Sequence, residues 1–203
     1  MSNPDYPKTP LVPPKPQFPK QPGAPDWKSK PKGGPVAVAA LIVSGLFFAL
    51  KPSEGGRILK PYLDSAGIPT ACMGVIGPEV TRRYKAGLKF TDAECETMER
   101  TYLNKMVGRM QSCVPAKVQN DMTYGEWISY GHWDYNTGAF CSSSVGRNLT
   151  AGNHVEACKS MGKYTYITLH GVKRNCRDPD MKRICGGLVT RRDLEVNSCL
   201  NSL

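Results

Sequence analysis

Three side chains capable of acid–base chemistry lie close together in the segment from Glu54 to Thr70, which reads EGGRILKPYLDSAGIPT. Glycoside hydrolysis needs two carboxyl groups with different tasks, one that protonates the leaving oxygen and one that stays ionised. Glu54 stands beside an apolar segment, where partial burial would favour its protonated form, whereas Asp64 stands in a turn among polar neighbours. Thr70 offers a hydroxyl that could hold a water against Asp64. Solvated surface loops often carry the same spacing, so these residues alone leave both interpretations open.

The N-terminal part of the chain differs in composition from the rest. Residues 1–32 hold ten of the seventeen prolines and few aliphatic residues, which predicts a disordered, basic, proline-rich tail. Residues 33–50 carry no charge and read GGPVAVAALIVSGLFFAL. Their length is near the lower limit of about 20 residues for a membrane-spanning helix, and lysines precede them. We therefore expect an uncleaved signal-anchor helix with the tail in the cytoplasm. A cleaved signal peptide and a buried core helix are the alternatives.

Charge and cysteine content narrow the function classes. A formal net charge of +10 suits an anionic polymer or a membrane surface, but we find no nucleic-acid-binding motif, so no nucleic-acid partner is predicted. All eight cysteines follow the apolar segment, and their even number favours disulfides in an oxidising compartment. No Cys-x-x-Cys pair is present, and the histidines lack the spacing of a zinc site, so no metal site is predicted. Cys176 and Cys185 bracket a turn-rich loop that a disulfide could close.

The remainder of the chain, residues 51–203, is predicted to fold as one α+β domain. Short apolar runs broken by proline and glycine over residues 58–77 indicate a small sheet. Thr91 and Glu94 form a capping box that opens a helix with apolar residues at helical spacing. Three later stretches are predicted helices: GEWISYGHWDYN, HVEACKSMGKYT and RRDLEVNSCL. Strands are thus expected in one short region only, which gives a small β-lobe beside a larger helical lobe.

Residues 54–74 resemble the phage-type lysozymes, glycoside hydrolase family 24. The signature of that family is Glu-Gly, Tyr-x-Asp, Gly-x-x-Thr, Cys and Gly. It is matched here by Glu54-Gly55, Tyr62-Leu63-Asp64, Gly67-Ile68-Pro69-Thr70, Cys72 and Gly74. The resemblance continues, in family order, through FTDAEC, WDYNTGAFCSSS and CGGLVTRRDLE. Nine residues separate Glu54 from Asp64 where the family has eight, and Gly56 is taken as the extra one.

The resemblance implies a lysozyme-like fold and an endolysin, needing no cofactor, that cleaves the β-1,4 bond between N-acetylmuramic acid and N-acetylglucosamine in peptidoglycan. Carried over, Glu54 is the general acid, Asp64 assists the water, and Thr70 is the partner of Asp64. Arg191 or Arg192 is the cation paired with Glu54; a surface salt bridge is the other interpretation of these arginines. Four residues could line the sugar-binding groove, with core packing as the alternative for the aromatic ones. They are Trp127, Trp133, Tyr135 and Asn136.

The predicted anchor runs directly into the helix that ends at the catalytic Glu in this family, because Glu54 lies only four residues beyond Leu50. In this respect the chain resembles the signal-anchor-release endolysins, which stay inactive while a segment such as residues 33–50 tethers them to the host inner membrane. The resemblance implies a periplasmic catalytic domain, freed when the membrane potential collapses, for example through a holin-type protein. A permanent anchor is one alternative. A lytic transglycosylase and a catalytically impaired, membrane-anchored peptidoglycan-binding or virion protein are the others.

Overall fold

The computed structural model describes Phe18 and residues 22–53, 56–64 and 67–203. Within these residues the helices are α1 (Pro35–Ser53), α2 (Pro78–Ala86), α3 (Asp92–Cys113), α4 (Ala116–Asp121), α5 (Tyr124–Thr137), α6 (Ser144–Thr150), α7 (His154–Met161) and α8 (Lys182–Ser202). The strands are β1 (Ile58–Leu63), β2 (Pro69–Cys72), β3 (Val75–Ile76), β4 (Tyr166–Leu169) and β5 (Val172–Asn175). Two short 3₁₀ turns span Phe140–Ser142 and Pro179–Met181.

A three-stranded antiparallel sheet, ordered β1-β2-β3, forms the small lobe and the helices form the large one, which confirms the predicted α+β architecture. Tyr62 of β1 pairs with Thr70 of β2, so the end of one strand lies beside the start of the next. The predicted capping box opens α3. Glu94 N–H donates to Thr91 Oγ1 at 3.2 Å, and Thr91 N–H donates to Glu94 Oε2 at 2.8 Å.

A second antiparallel sheet, formed by β4 and β5, corrects the expectation that strands occur in one region only. His170 and Gly171 connect the two strands with φ of 48° and 79°. Positive φ at both central positions is the geometry of a type I′ hairpin turn, which Asn-Gly or Asp-Gly usually announces. A histidine in the first position gives no such signal, and this is why the sequence conceals the hairpin.

Four disulfides pair all eight cysteines, which confirms the prediction that the cysteines form disulfides. The pairs are Cys72–Cys95, Cys113–Cys141, Cys158–Cys199 and Cys176–Cys185. The first joins β2 to α3, the second joins the end of α3 to the 140–142 turn, and the third joins α7 to α8. The fourth closes the loop that the sequence singled out, so this predicted pair is confirmed.

Helix α1 packs inside the helical lobe, against α3 and α5. Its inward residues are fully buried: Ile42, Leu46 and Leu50. The approach to α5 is close, because a Cβ placed on Gly45 would lie 2.7 Å from Ile128 Cδ1 and would also meet the Tyr124 hydroxyl. In this structure the second half of the apolar segment, residues 42–50, is therefore largely buried in the core, whereas its first residues are exposed. Among the described residues, no helix combines the length and the hydropathy needed to cross a membrane.

The chain ahead of α1 also packs against the helical lobe, although its composition predicted disorder. Phe18 is 4% exposed, and Trp27 contacts the main hydrophobic core. These two aromatic side chains bury apolar surface against the helical lobe, and the average composition of the segment does not reveal this. We call Phe18 and residues 22–30 the N-terminal clasp. The rest of the tail, residues 1–17 and 19–21, lies outside the described residues, and the division of the chain into tail, anchor and catalytic domain stays a prediction.

Candidate active site

Asp64 lies in the turn between β1 and β2, directly after β1 ends. Its backbone N–H donates to the Ile68 carbonyl at 3.1 Å, and its side-chain Oδ1 accepts the Ile68 N–H at 2.9 Å. The Gly67 N–H donates to the Asp64 carbonyl at 2.9 Å. Local hydrogen bonds of this kind hold the carboxylate of an Asp in one orientation relative to its own turn. Here they leave Oδ2 on the side of Thr70.

Thr70 stands beside that carboxylate and is 4% exposed. Its hydroxyl donates to the Ile68 carbonyl at 3.0 Å, and the same Oγ1 lies 3.4 Å from Asp64 Oδ2. A hydroxyl that donates its proton elsewhere keeps lone pairs with which to accept from a water. One water could therefore donate to both Thr70 Oγ1 and Asp64 Oδ2, which would leave its own lone pair directed outwards. This proximity is what the predicted water-holding role requires.

Asp64 and Thr70 lie on the wall of a cleft of about 550 Å³ between the two lobes. The sheet side is completed by Tyr62, Gly74, Val75 and Ile76, and the helical side by Tyr102, Tyr135, Asn136 and Arg191. The Tyr135 hydroxyl donates to the Met73 carbonyl at 2.5 Å, which links the two sides. The ring of Tyr102 packs edge-on against Tyr135, with 5.3 Å between centroids. Aromatic and polar groups along an open cleft suit a sugar polymer.

The two candidate arginines separate in the structure. Arg191 lines the cleft, whereas Arg192 is fully buried beneath it. Arg192 Nη2 donates to Asn136 Oδ1 at 2.7 Å, and its Nη1 lies 2.9 Å from Glu195 Oε2. Burial lowers the pKa of Arg192, and the charge of Glu195 opposes that shift. Arg192 is thus an internal cation rather than half of a surface salt bridge, and the pairing of either arginine with Glu54 stays a prediction.

Comparisons with known proteins agree with this geometry. The family described as phage lysozyme matches residues 52–195, which is more than half of the chain. The chain belongs to the phage lysozyme family. It is therefore an enzyme, a glycoside hydrolase of the muramidase type.

Individual relatives are distant in sequence. A SAR-endolysin of Escherichia phage Mu is 25% identical over 138 residues, which cover 67% of this chain and 68% of that protein. The solved endolysin from Escherichia coli O157:H7 phage FAHEc1 superimposes with a TM-score of 0.52 at 26% identity, over 78% of this chain and 92% of that one. The muramidase domain of SpmX from Asticaccaulis excentricus shares the fold, with a TM-score of 0.58 at 20% identity over 77% of this chain and 95% of that domain.

The predicted general acid of this lysozyme, Glu54, lies outside the described residues together with Gly55. Gly56, the extra residue of the sequence pattern, has φ of 94°, and a Cβ placed on it would meet open space. Glycine adopts this left-handed backbone conformation without strain. An inserted glycine can therefore bulge towards solvent here without displacing packed atoms.

Arg57, directly after that glycine, is held by the buried carboxylate of Glu99. Its Nε and Nη2 donate to Glu99 Oε2 at 3.0 and 2.9 Å, and Glu99 Oε1 accepts the Met73 N–H at 3.1 Å. Burial alone would lower the pKa of Arg57, but its hydrogen bonds and charge interactions with Glu99 leave the pKa raised overall. Glu99 thereby ties the start of β1 to α3 and to the β2–β3 turn. Sequence reasoning missed this pair because neither residue stands in a motif.

Two of the predicted groove residues do not line the cleft. Trp127 and Trp133 are 1% and 0% exposed, because α5 is buried on every side from Tyr124 through Asp134. An enclosed indole cannot stack on a sugar ring, so core packing is the correct interpretation for both. Tyr135 and Asn136 do line the cleft as predicted. The cleft wall also includes Tyr62, which the sequence offers only as part of the Tyr-x-Asp motif, and Tyr102 on α3, which no motif contains.

Among the described residues, one grouping has the composition of a metal-ligand set: Cys72, Cys95 and Glu99. Both sulfurs are joined in a disulfide, and Glu99 is engaged by Arg57 and by the Met73 N–H. Since a metal binds cysteine as the thiolate, this grouping cannot act as a ligand set while the disulfide is intact.

Proposed function

We propose that the protein is an endolysin that hydrolyses the β-1,4 bond between N-acetylmuramic acid and N-acetylglucosamine in peptidoglycan for host cell lysis. The observation that carries the proposal is the meeting of Asp64 and Thr70, at 3.4 Å, on the wall of the cleft between the two lobes. Family membership supports the class of reaction. The choice of bond follows from the resemblance of the Glu54–Thr70 segment to the family signature.

In the proposed reaction Glu54 gives its proton to the glycosidic oxygen as the bond to the anomeric carbon breaks. A water held by Thr70 and Asp64 then adds to that carbon, and Asp64 takes up the proton that the water releases. Arg191, on the cleft wall, is the cation that accompanies the charge of Glu54. The product is a new reducing end on N-acetylmuramic acid.

The test of this proposal replaces Glu54 by Gln in the full-length, disulfide-complete protein. We expect the rate of peptidoglycan hydrolysis to fall by about 100-fold or more, since an amide cannot donate the required proton. Glu156→Gln is the matched control, because that exposed carboxylate pairs with Lys159 on α7, away from the residues that line the cleft, and should leave the rate unchanged.

Mass spectrometry of the released fragments separates this reaction from its rivals. Reducing ends support the hydrolase, whereas 1,6-anhydro ends would mean a transglycosylase. A folded wild-type protein that binds peptidoglycan without cleaving it would mean the impaired binding protein.

We further propose that residues 33–50 tether the inactive enzyme to the host inner membrane, with the N-terminus in the cytoplasm and the catalytic domain in the periplasm. The uncharged run of that segment and the similarity to the SAR-endolysin of phage Mu support this topology. Helix α1, packed between α3 and α5, is then the released state of the same residues. While the segment spans the bilayer, the helical lobe lacks one of its core helices and the enzyme is inactive.

This topology predicts that collapse of the membrane potential moves the protein. Expressed in cells without other lysis proteins, the chain should fractionate with the membrane. An uncoupler should shift most of it to the periplasm, because a segment rich in glycine and alanine gains little from lipid. A chain that remains in the membrane fraction after depolarisation would instead be permanently anchored. In an infected cell, a holin-type protein would collapse the membrane potential.

A further inference from the structure

The N-terminal clasp caps helix α5. The carbonyls of Trp27 and Ser29 accept hydrogen bonds from the N–H groups of Gly125 and Tyr124, at 2.9 and 2.7 Å. These donors belong to the first turn of α5, where backbone N–H groups have no partner within the helix. A Cβ placed on Gly125 would lie 2.5 Å from Trp27 Cε3, so the clasp packs directly against the helix backbone.

Phe18, at the inner end of the clasp, covers a buried polar network. Its N–H donates to Ser198 Oγ at 3.0 Å, and its ring lies 4.5 Å from the imidazole of His132, measured between centroids. His132 Nδ1 lies 2.8 Å from Glu195 Oε1. Both side chains are fully buried. Glu195 then contacts Arg192, as described above.

The network ends at the cleft. Arg192 connects Glu195 to Asn136, and Asn136 lines the cleft beside Tyr135. An unbroken series of contacts thus runs from Phe18, through three buried charged or polar side chains, to a residue of the proposed substrate groove. No member of the series between Phe18 and Asn136 reaches the cleft itself within the described part of the chain.

Several polar atoms of this network have hydrogen-bonding capacity that a water could use. Within the described part of the chain, Arg192 Nε and Nη1 and Glu195 Oε2 form no hydrogen bond of good geometry. Polar groups that are incompletely satisfied will accept a water wherever one can enter. If Phe18 were removed, we expect water to reach His132 and Glu195 and to compete for their hydrogen bonds. Arg192 would then hold Asn136 less firmly, and the Asn136 side chain would lose its fixed orientation.

We propose that the N-terminal clasp contributes to substrate binding. Phe18 positions Asn136 for the substrate through the buried network of His132, Glu195 and Arg192. The inference rests on the proposed function, because it takes the cleft to be the substrate groove. Phe18 is a positioning residue, as are the three network members. The clasp precedes α1, so in a tethered chain it lies on the opposite side of the membrane from the groove. In the proposed topology it can therefore dock only after release.

The test compares Phe18→Ala and Asn136→Ala, alone and together, in the full-length oxidised protein, with kcat and KM measured on soluble peptidoglycan fragments. We expect Phe18→Ala to raise KM about five- to tenfold with little change in kcat, because the groove residue is misplaced while Asp64 and Thr70 are untouched. The double variant should bind no worse than Asn136→Ala alone, since both changes remove the same interaction.

Two further variants separate positioning from a general loss of packing. Leu149→Ala removes a fully buried side chain from α6, which packs against α7 and the 140–142 turn, and it should leave KM unchanged. Ser198→Ala deletes only the acceptor of the Phe18 N–H and should raise KM about two- to threefold, again without adding to Asn136→Ala. This milder variant decides the matter if Phe18→Ala does not fold.

The outcomes distinguish a failure of the proposed role of the clasp from a failure of the proposed enzymatic function. A wild-type protein without activity, or one indifferent to Glu54→Gln, would overturn the proposed function. An active, Glu54-dependent enzyme in which Phe18→Ala and Ser198→Ala leave KM unchanged would overturn the role of the clasp alone. Effects that simply add to that of Asn136→Ala would overturn it as well.

Discussion

Replacement of Asp64 by Asn should lower the rate of peptidoglycan hydrolysis by about 100-fold or more while the fold is retained. An amide at this position can still accept the Ile68 N–H, so the turn should survive. It cannot take up the proton that the attacking water releases, and with its carbonyl oxygen on the Ile68 N–H its amide nitrogen would stand where the water needs an acceptor. The fall should therefore appear in kcat.

The control for Asp64→Asn is Asp178→Asn, an exposed carboxylate that does not line the cleft. Turbidity assays on purified peptidoglycan give the rates, and circular dichroism verifies that both variants are folded. Retention of more than about a third of the wild-type rate by Asp64→Asn would remove Asp64 from the proposed mechanism. Thr70→Val offers an intermediate case, because valine keeps the shape of threonine and lacks the hydroxyl.

Replacement of Glu195 by Ala should have the largest effect on stability, a loss of about 3–5 kcal/mol in the free energy of unfolding. Glu195 is fully buried between His132 and Arg192. Its removal leaves the Arg192 charge in the interior without its partner, which costs far more than an exposed pair of the same type. Urea unfolding of the oxidised protein measures the difference.

Glu156→Ala is the matched control, since its pair with Lys159 is exposed on both sides and should contribute less than about 1 kcal/mol. The combination of Glu195→Leu with Arg192→Met should recover part of the loss, because it removes both buried charges at once. If the free energy of unfolding of Glu195→Ala lies within about 1 kcal/mol of the wild-type value, the buried pair of Glu195 and Arg192 does not stabilise the helical lobe.

The parts of this fold that the sequence predicts are those with local causes. The capping box of Thr91 and Glu94 depends on residues three apart, and the spacing of Asp64 and Thr70 spans a single turn. The β4–β5 hairpin is not predicted from the sequence, because His170 adopts a positive φ that is uncommon for its residue type.

The features that the sequence does not predict depend on tertiary packing. Arg191 and Arg192 are neighbours on one helix, yet their side chains point about 100° apart, so only the packing of α8 decides which one meets the cleft. Trp127 and Trp133 look like sugar-stacking residues until α5 is seen to be enclosed on all sides. Glu99 reaches Arg57 across 42 positions of sequence, and no local pattern joins them.

The close packing of α1 against α5 restricts which substitutions this helix can accept. A larger residue at Gly45 would collide with Ile128 and Tyr124, whereas Val36, at the outer end of the helix, is 84% exposed and free to vary. In a lipid bilayer the opposite preference would hold, because a leucine at position 45 would insert more readily than a glycine. Under the proposed topology, the packing at Gly45 therefore limits how far the affinity of the segment for lipid can rise at this position, because a larger residue there would prevent α1 from completing the core.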